Sequence, residues 1–293
     1  MRLRIVDAFV PAPVIGGTAT PRPFAGNPAG VVVLDAPAPV AWMSSVAAEL
    51  NLSETAFAVP GERGRWGLRW FTPVTEVDLC GHATLATAAA LAEDGIAGPF
   101  AFDTRSGELR ARIGDDGAVV MDFPAQPTSP LAGGVAGPVT AHLRTALGVE
   151  PAEVESNGVD VLVRVDDEVQ LRSMSPDTVA LMAVDARCVV VTAEVRRTPA
   201  AEDVVLTDDD APAPDVVSRV FAPRVGVPED PVTGSAHCAL APFWAQRLGR
   251  TDLLCHQVSR RGGELRVRLR QDRVELVGRA VTVVDGELLV GPR

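Results

Sequence analysis

Two short stretches place polar or ionisable side chains beside a glycine at the start of an apolar run: Cys80-Gly81-His82 and Thr233-Gly234-Ser235. Unsatisfied N–H groups and the positive end of a helix dipole make such starts attractive to anions, and glycine lets a ligand approach the backbone. Around them stand His82, Glu229, Asp230, Thr233, Ser235 and His237. This set suits holding a small anion. His82 and Ser235 each also fit a second reading, that of a side chain capping its own helix. Ser235 is not in a G-x-S-x-G turn, so a nucleophilic hydrolase is poorly supported. His82, His142, His237 and His256 form no i, i+4 pair, and no cysteine stands at finger-like spacing, so spacing along the chain shows no metal site.

The elements that must carry these residues form an internal echo. Phe71–Leu91 and Phe221–Gly249 both run Phe-x-Pro, then glycine (Gly81, Gly234), then alanine two residues later (Ala83, Ala236), then an apolar helix. Ala-rich composition predicts helices over 83–93 and 235–248, the second containing Pro242. Duplication of one lobe accounts for the echo, and chance similarity of two Ala-rich helices is the alternative. Upstream, residues 51–59 read as a strand. In one register Glu54 shares an apolar face with Leu52, Ala56 and Ala58, and in the other it meets solvent.

The rest of the chain supplies a framework. Strands are expected over 3–10, 30–34 and 66–71, an amphipathic helix over 39–50, and a hairpin of 108–113 with 118–123. Val14 to Asn27 reads as a loop, and the Pro/Gly-rich stretch 124–138 as a linker. Helices over 139–147 and 175–183, the latter opened by Ser175-Pro176, alternate with strands over 160–165, 187–193 and 216–221. A meander closes the chain, with 281–284 paired to 288–290 across Asp285-Gly286. The acidic cluster Asp208-Asp209-Asp210 reads as a solvated loop.

Composition removes whole classes of function. The 293 residues suffice for two domains, and a formal net charge of -11 argues against nucleic acid or an anionic membrane as partner. The chain has no lysine, which excludes a pyridoxal-phosphate Schiff base and a P-loop. Any carboxylate must be met by arginine, histidine or backbone N–H groups. Cys80, Cys188, Cys238 and Cys255 form no C-x-x-C pair and read as reduced thiols of a cytoplasmic protein. The N-terminal segment reads as a strand and not a signal peptide, and no apolar run approaches the roughly 20 residues that span a bilayer.

Four motifs together carry a family resemblance. FAGNPAGV (24–31), ELNLSETAF (49–57), FTPVTEVDLCGHATLA (71–86) and GVPEDPVTGSA (226–236) resemble the PhzF family, named for the phenazine-biosynthesis isomerase and related to diaminopimelate epimerase. The resemblance implies an α+β fold of two pseudo-symmetric lobes, each a curled sheet around a central helix. The expected lobes are 1–124 with 282–293, and 125–281, with an active-site cleft between them and a homodimer as the usual assembly. It implies chemistry without a cofactor, on a small carboxylate-bearing substrate like a dihydro-hydroxyanthranilate. Glu54 then corresponds to the glutamate that moves a proton between two carbons, which favours the apolar register. His82, Asp230 and Ser235 correspond to groups that bind and orient the substrate, assisted by backbone N–H groups at Gly81 and Gly234. Asn27 and His237 complete the implied binding set.

The forms G-H-A-T-L-A and S-A-H-C-A-L-A-P-F-W depart from the phenazine enzyme, so fold and proton transfer carry over better than the substrate. Two rivals stand beside this reading. One is a two-thiol racemase or epimerase using Cys80, for which 231–234 lacks the second cysteine. The other is a non-catalytic small-molecule-binding protein.

Overall fold

A computed structural model describes residues 1–15, 18–196 and 213–292, so the cluster Asp208–Asp210 lies outside the described residues. The chain divides into two compact units, Met1–Ala12 with Pro21–Phe123 and Glu275–Arg293, and Pro13–Thr20 with Pro124–Val274. Relative to the expected boundaries, the first unit also takes residues 275–281, and the short segment 13–20 belongs to the second. The fold class is α+β, two units of mixed sheet with a buried helix in each.

In the first unit the strand Arg2–Ala8 pairs antiparallel with Asn27–Val33 on one side and with Ala280–Glu287 on the other. Asn27–Val33 runs parallel to Glu54–Pro60, and the helix Val40–Leu50 makes the crossover, burying Met43, Val46 and Ala47. Glu54–Pro60 pairs antiparallel with Trp66–Phe71, which runs parallel to Phe100–Thr104, again across a helix, Gly81–Glu93. Phe100–Thr104 leads through antiparallel pairings to Gly107–Ile113 and Val119–Pro124.

Strands from both ends of this order touch the helix Gly81–Glu93, so the sheet curls around it. The sequence explains why the helix tolerates that position. Its alanines and leucines have no polar side-chain atoms, and Thr84 and Thr87 each donate their hydroxyl to the carbonyl four residues back, Cys80 at 2.6 Å and Ala83 at 2.7 Å. Nine of its residues, His82 to Ala88 together with Ala90 and Leu91, are buried.

The second unit is built from Ser129–Pro130, Glu153–Ser156, Val161–Arg164, Val189–Glu194, Val216–Ala222, Asp252–Gln257 and Gly263–Arg270, paired in that order. Val161–Arg164 with Val189–Glu194 and Val216–Ala222 with Asp252–Gln257 are the parallel pairs. Val227–Asp230 folds back on Val216–Ala222 and leads into the helix Gly234–Leu248, which packs on the last two strands. Pro242 lies within that helix, as expected. The helix Pro138–Leu147 covers a core of Leu143, Leu147, Val163, Leu171 and Val191.

Several expectations are corrected. The stretch 175–183 holds only a four-residue helix, Thr178–Leu181, because the Asp177 carboxylate accepts the N–H groups of Val179 and Ala180 and sets the start past Ser175-Pro176. A second short helix, Glu168–Ser173, is capped the same way by Asp167. The expected terminal hairpin is one strand, Ala280–Glu287, whose backbone groups pair with Arg2–Ala8 and not with 288–290. The loop from Val14 contains a small ladder of Val14–Ile15 with Thr18–Ala19.

Candidate functional site

Glu54 opens its strand with its side chain 18 % exposed. Two-face alternation misjudges this strand: Thr55, Ala56, Phe57 and Ala58 are all buried, so both faces are covered and neither meets solvent. The carboxylate therefore lies at the margin of the interior, against the first turn of the central helix, where Glu54 Oε2 and His82 Nε2 are 3.3 Å apart.

His82 is the second residue of its helix, after Gly81, and the N-cap position belongs to Cys80, whose side chain makes no capping hydrogen bond. The reading of His82 as a cap therefore does not apply. Its Nδ1 stands 3.5 Å from Cys80 Sγ, while Nε2 is buried and makes no hydrogen bond despite the approach of Glu54. Burial drives the imidazole down to about 3, so it is neutral at neutral pH. In the tautomer whose Nδ1 accepts from the thiol, the ring proton sits on Nε2 and faces the Glu54 carboxylate. Such a neutral ring offers the carboxylate a donor without a positive charge.

Glu54, Cys80 and His82 present donor atoms within 4.8 Å of one another, a group able to hold a metal ion that spacing along the chain did not reveal. Thiolate, imidazole and carboxylate suit zinc, but the positive end of the Gly81 helix disfavours a cation there. Asn27, buried, opens the strand Asn27–Val33, whose Ala29 is paired with Glu54. The backbone turns into that strand at Gly26, with φ +68°.

The second unit carries its own polar cluster. Val227–Asp230 ends at Asp230, whose carboxylate accepts from the Thr233 hydroxyl. Gln257, fully buried on Asp252–Gln257, fixes the turn: its Oε1 accepts from Thr233 N at 2.9 Å, and its Nε2 donates to the Asp230 carbonyl at 2.7 Å. Thr233 is the N-cap, again without a side-chain capping bond, so Ser235, second in the helix, is not the capping hydroxyl. The Ser235 Oγ accepts from Arg187 Nη2 at 3.2 Å. His237 Nδ1 lies 2.8 Å from the Thr233 carbonyl oxygen, which can only accept, so the ring proton sits on Nδ1 and donates to it. Burial pushes His237 down to about 4, against that bond, and its Nε2 has no hydrogen-bond partner.

Of the residues singled out from the sequence, Glu54 and His82 meet in the first unit, with Gly81 opening the helix beneath them and Asn27 on the neighbouring strand. In the second unit, Asp230, Gly234, Ser235 and His237 share one turn and one helix start. Sequence reasoning missed Arg187, Asp160 and Gln257, since an arginine before a strand and a glutamine at a strand end carry no motif. Among the described residues, no helix is long and apolar enough to cross a membrane.

Known proteins resemble the chain over nearly its whole length. The family model PhzC-PhzF, described as phenazine biosynthesis-like protein, matches residues 18–286. An uncharacterized isomerase of Halalkalibacterium halodurans is 42% identical over 289 residues, covering 98% of this chain and 97% of its own. The crystal structure of a PhzF-family phenazine biosynthesis protein from Enterococcus faecalis superposes with a TM-score of 0.84 at 37% identity, covering 99% of each chain. A probable proline racemase from Agrobacterium radiobacter, at 14% identity and a TM-score of 0.56 over 99% of this chain and 93% of its own, shares the fold alone. With the expected motifs in place on an epimerase-like α+β fold, the chain belongs to the phenazine biosynthesis-like PhzC-PhzF family.

Proposed function

We propose that this family member is an isomerase that moves a proton between carbons of a small carboxylate-bearing substrate, with Glu54 as the general acid and base and no cofactor in the step. The observation that carries the reading is the Glu54 carboxylate held 3.3 Å from a buried, neutral His82 at the start of the central helix. A carboxylate that both takes and returns a proton works best when partial burial brings its affinity for the proton toward the working pH. Its His82 neighbour is uncharged. Being neutral, His82 can donate a hydrogen bond to a developing oxyanion or to Glu54 without drawing the proton away. The Enterococcus and Halalkalibacterium relatives, named for PhzF and as an isomerase, support the same class. Asp230 and Ser235 are assigned as substrate-binding groups, Asp230 for an amino or hydroxyl group and Ser235 for an oxygen, with Gly81 and Gly234 opening the backbone to the ligand. We assign the protein to the cytoplasm, as a homodimer, from its reduced cysteines and its family.

One observation favours a second reading. Cys80 Sγ lies 3.5 Å from His82 Nδ1, so a thiol acting through an imidazole could carry the proton in place of Glu54, as in a racemase.

The deciding experiment incubates trans-2,3-dihydro-3-hydroxyanthranilate with wild type, Glu54→Gln and Cys80→Ala in deuterium oxide and follows the product by proton NMR. Conversion with deuterium incorporated at carbon, reduced about 10²- to 10⁴-fold by Glu54→Gln and little changed by Cys80→Ala, is the expected result. Loss with Cys80→Ala and survival with Glu54→Gln would overturn it in favour of the thiol. Ligand binding with no exchange in any variant would leave a binding protein.

A further inference from the structure

Arg187 stands just before the strand Val189–Glu194 and turns its guanidinium into the polar cluster of the second unit. Asp160, 2 % exposed, grips it in a two-point pairing: Arg187 Nε donates to Oδ1 at 2.9 Å and Nη2 to Oδ2 at 2.5 Å. Burial works to lower the guanidinium's proton affinity, and the Asp160 hydrogen bonds reverse this, so the group stays fully charged. The same Nη2 reaches Ser235 Oγ at 3.2 Å. With its side chain 36 % exposed, Arg187 is held rigidly at one edge and accessible at the other.

The direction of these bonds has a chemical consequence. A serine hydroxyl has one proton to give. Because Oγ accepts from Arg187, that proton is left to donate elsewhere, and the adjacent positive charge strengthens it as a donor. That bond takes one of the hydroxyl's two lone pairs, so Ser235 is biased toward donating to a ligand, and an anionic acceptor gains the guanidinium as well. We infer that Arg187, set by Asp160, is a specificity-determining residue of this protein: its charge, with Ser235 biased toward donating, selects substrates that present a carboxylate there over their neutral amides. Arginine's planar fork makes this role specific, since it can keep two bonds to Asp160 while a third reaches Ser235. The buried Cys188 beside it, its thiol pushed up to about 12 by burial, stays protonated and does not compete as an anion.

This inference rests on the proposed isomerase reading for its substrate class, and binding tests it without turnover. Anthranilate and its neutral counterpart anthranilamide are titrated into wild type, Arg187→Lys, and the double variant Asp160→Asn/Arg187→Gln, which leaves no unpaired buried charge. Affinity is read by calorimetry and folding by circular dichroism. Wild type should prefer the acid by about tenfold or more, the worth of one charge-assisted hydrogen bond. The double variant should lose that preference at unchanged secondary structure. Arg187→Lys, which keeps a cation beside Asp160, should keep the fold and lose most of the preference, because a merely structural arginine would not affect the acid-to-amide ratio. Equal response of wild type to both compounds, including none to either, overturns the assignment, as does a preference that survives in both variants. If Glu54-dependent deuterium exchange is present while the preference is absent, the isomerase stands and this inference falls. If an Arg187-dependent preference is present without any exchange, Arg187 keeps its role in selecting the carboxylate and the isomerase reading falls.

Discussion

At the scale of single residues, the two central helices each bury an imidazole near their start, and both imidazoles are uncharged at neutral pH. Burial lowers His82 to about 3 and His237 to about 4, whereas an exposed histidine titrates near 6.5. Between those limits the unfolded chain binds protons that the folded chain does not, so stability falls as pH drops through 6.5 and is restored as pH rises. The paired carboxylates act in another window. Glu76 and Asp94 are held below their ordinary range first by hydrogen bonds from Arg69 and Arg4, so their contribution is complete above about pH 5 and fades as pH falls below that. Urea midpoints measured from pH 7 to 5 should therefore decline in wild type. His237→Asn, whose amide can still donate to the Thr233 carbonyl, should show a shallower decline. An identical slope in the variant would mean that His237 is charged in the folded protein.

At the scale of elements, close approach of backbones decides where the candidate site residues stand. The turn into Asn27–Val33 passes Gly26 at φ +68°, and a side-chain carbon added there would lie 2.2 Å from the Ala8 carbonyl oxygen. Neither strand can retreat, because Arg2–Ala8 is paired on both edges. Gly26→Ala should cost about 2 kcal/mol or more from the left-handed conformation and the overlap together, seen as a lower urea midpoint, and should displace Asn27. Gly95→Ala, also at positive φ but with open space around it, bears only the conformational part and should cost less.

The same contrast between local and distant causes explains what the sequence revealed. The central helices and the Glu54 strand were legible because glycine starts, alanine content and the spacing of small apolar residues are local signals. The side of the strand on which Glu54 lies was not, since both faces are covered by parts of the chain far along it. Asp177 displaced the start expected at Ser175-Pro176 because two N–H groups found a better acceptor two residues after Ser175. Arg187 and Asp160, separated by 27 residues, leave no mark that distinguishes them from a surface arginine and a turn aspartate.

At the scale of the whole molecule, the first unit is assembled from three separate segments of the chain, and its sheet draws on both ends of it. Ala280–Glu287 pairs along Arg2–Ala8 with a single irregularity at Ile5/Val6. This is why the expected terminal hairpin failed: the strand's hydrogen-bonding edge is satisfied by residues at the opposite end of the chain, and Gly286 is simply extended chain opposite Leu3. Two kinds of interaction hold the strand, its backbone ladder and an ionic cluster in which Arg2 pairs with both Asp285 and Asp94, and Arg4 with Asp94. Half-exposed pairs such as Arg2 with Asp285 are weakened by solvent screening, whereas removing the strand leaves the backbone groups along one edge of Arg2–Ala8 without their ladder partners. The ladder should therefore dominate. Truncation after Arg279 should lower Tm by about 10 °C or more or abolish cooperative melting, while Asp285→Asn should shift it by about 2 to 4 °C at most. If Asp285→Asn alone reproduced the loss seen on truncation, the ionic cluster and not strand pairing would be what closes the first unit, and the arginine-rich start of the chain would be read as the stabilising element in place of the sheet it belongs to.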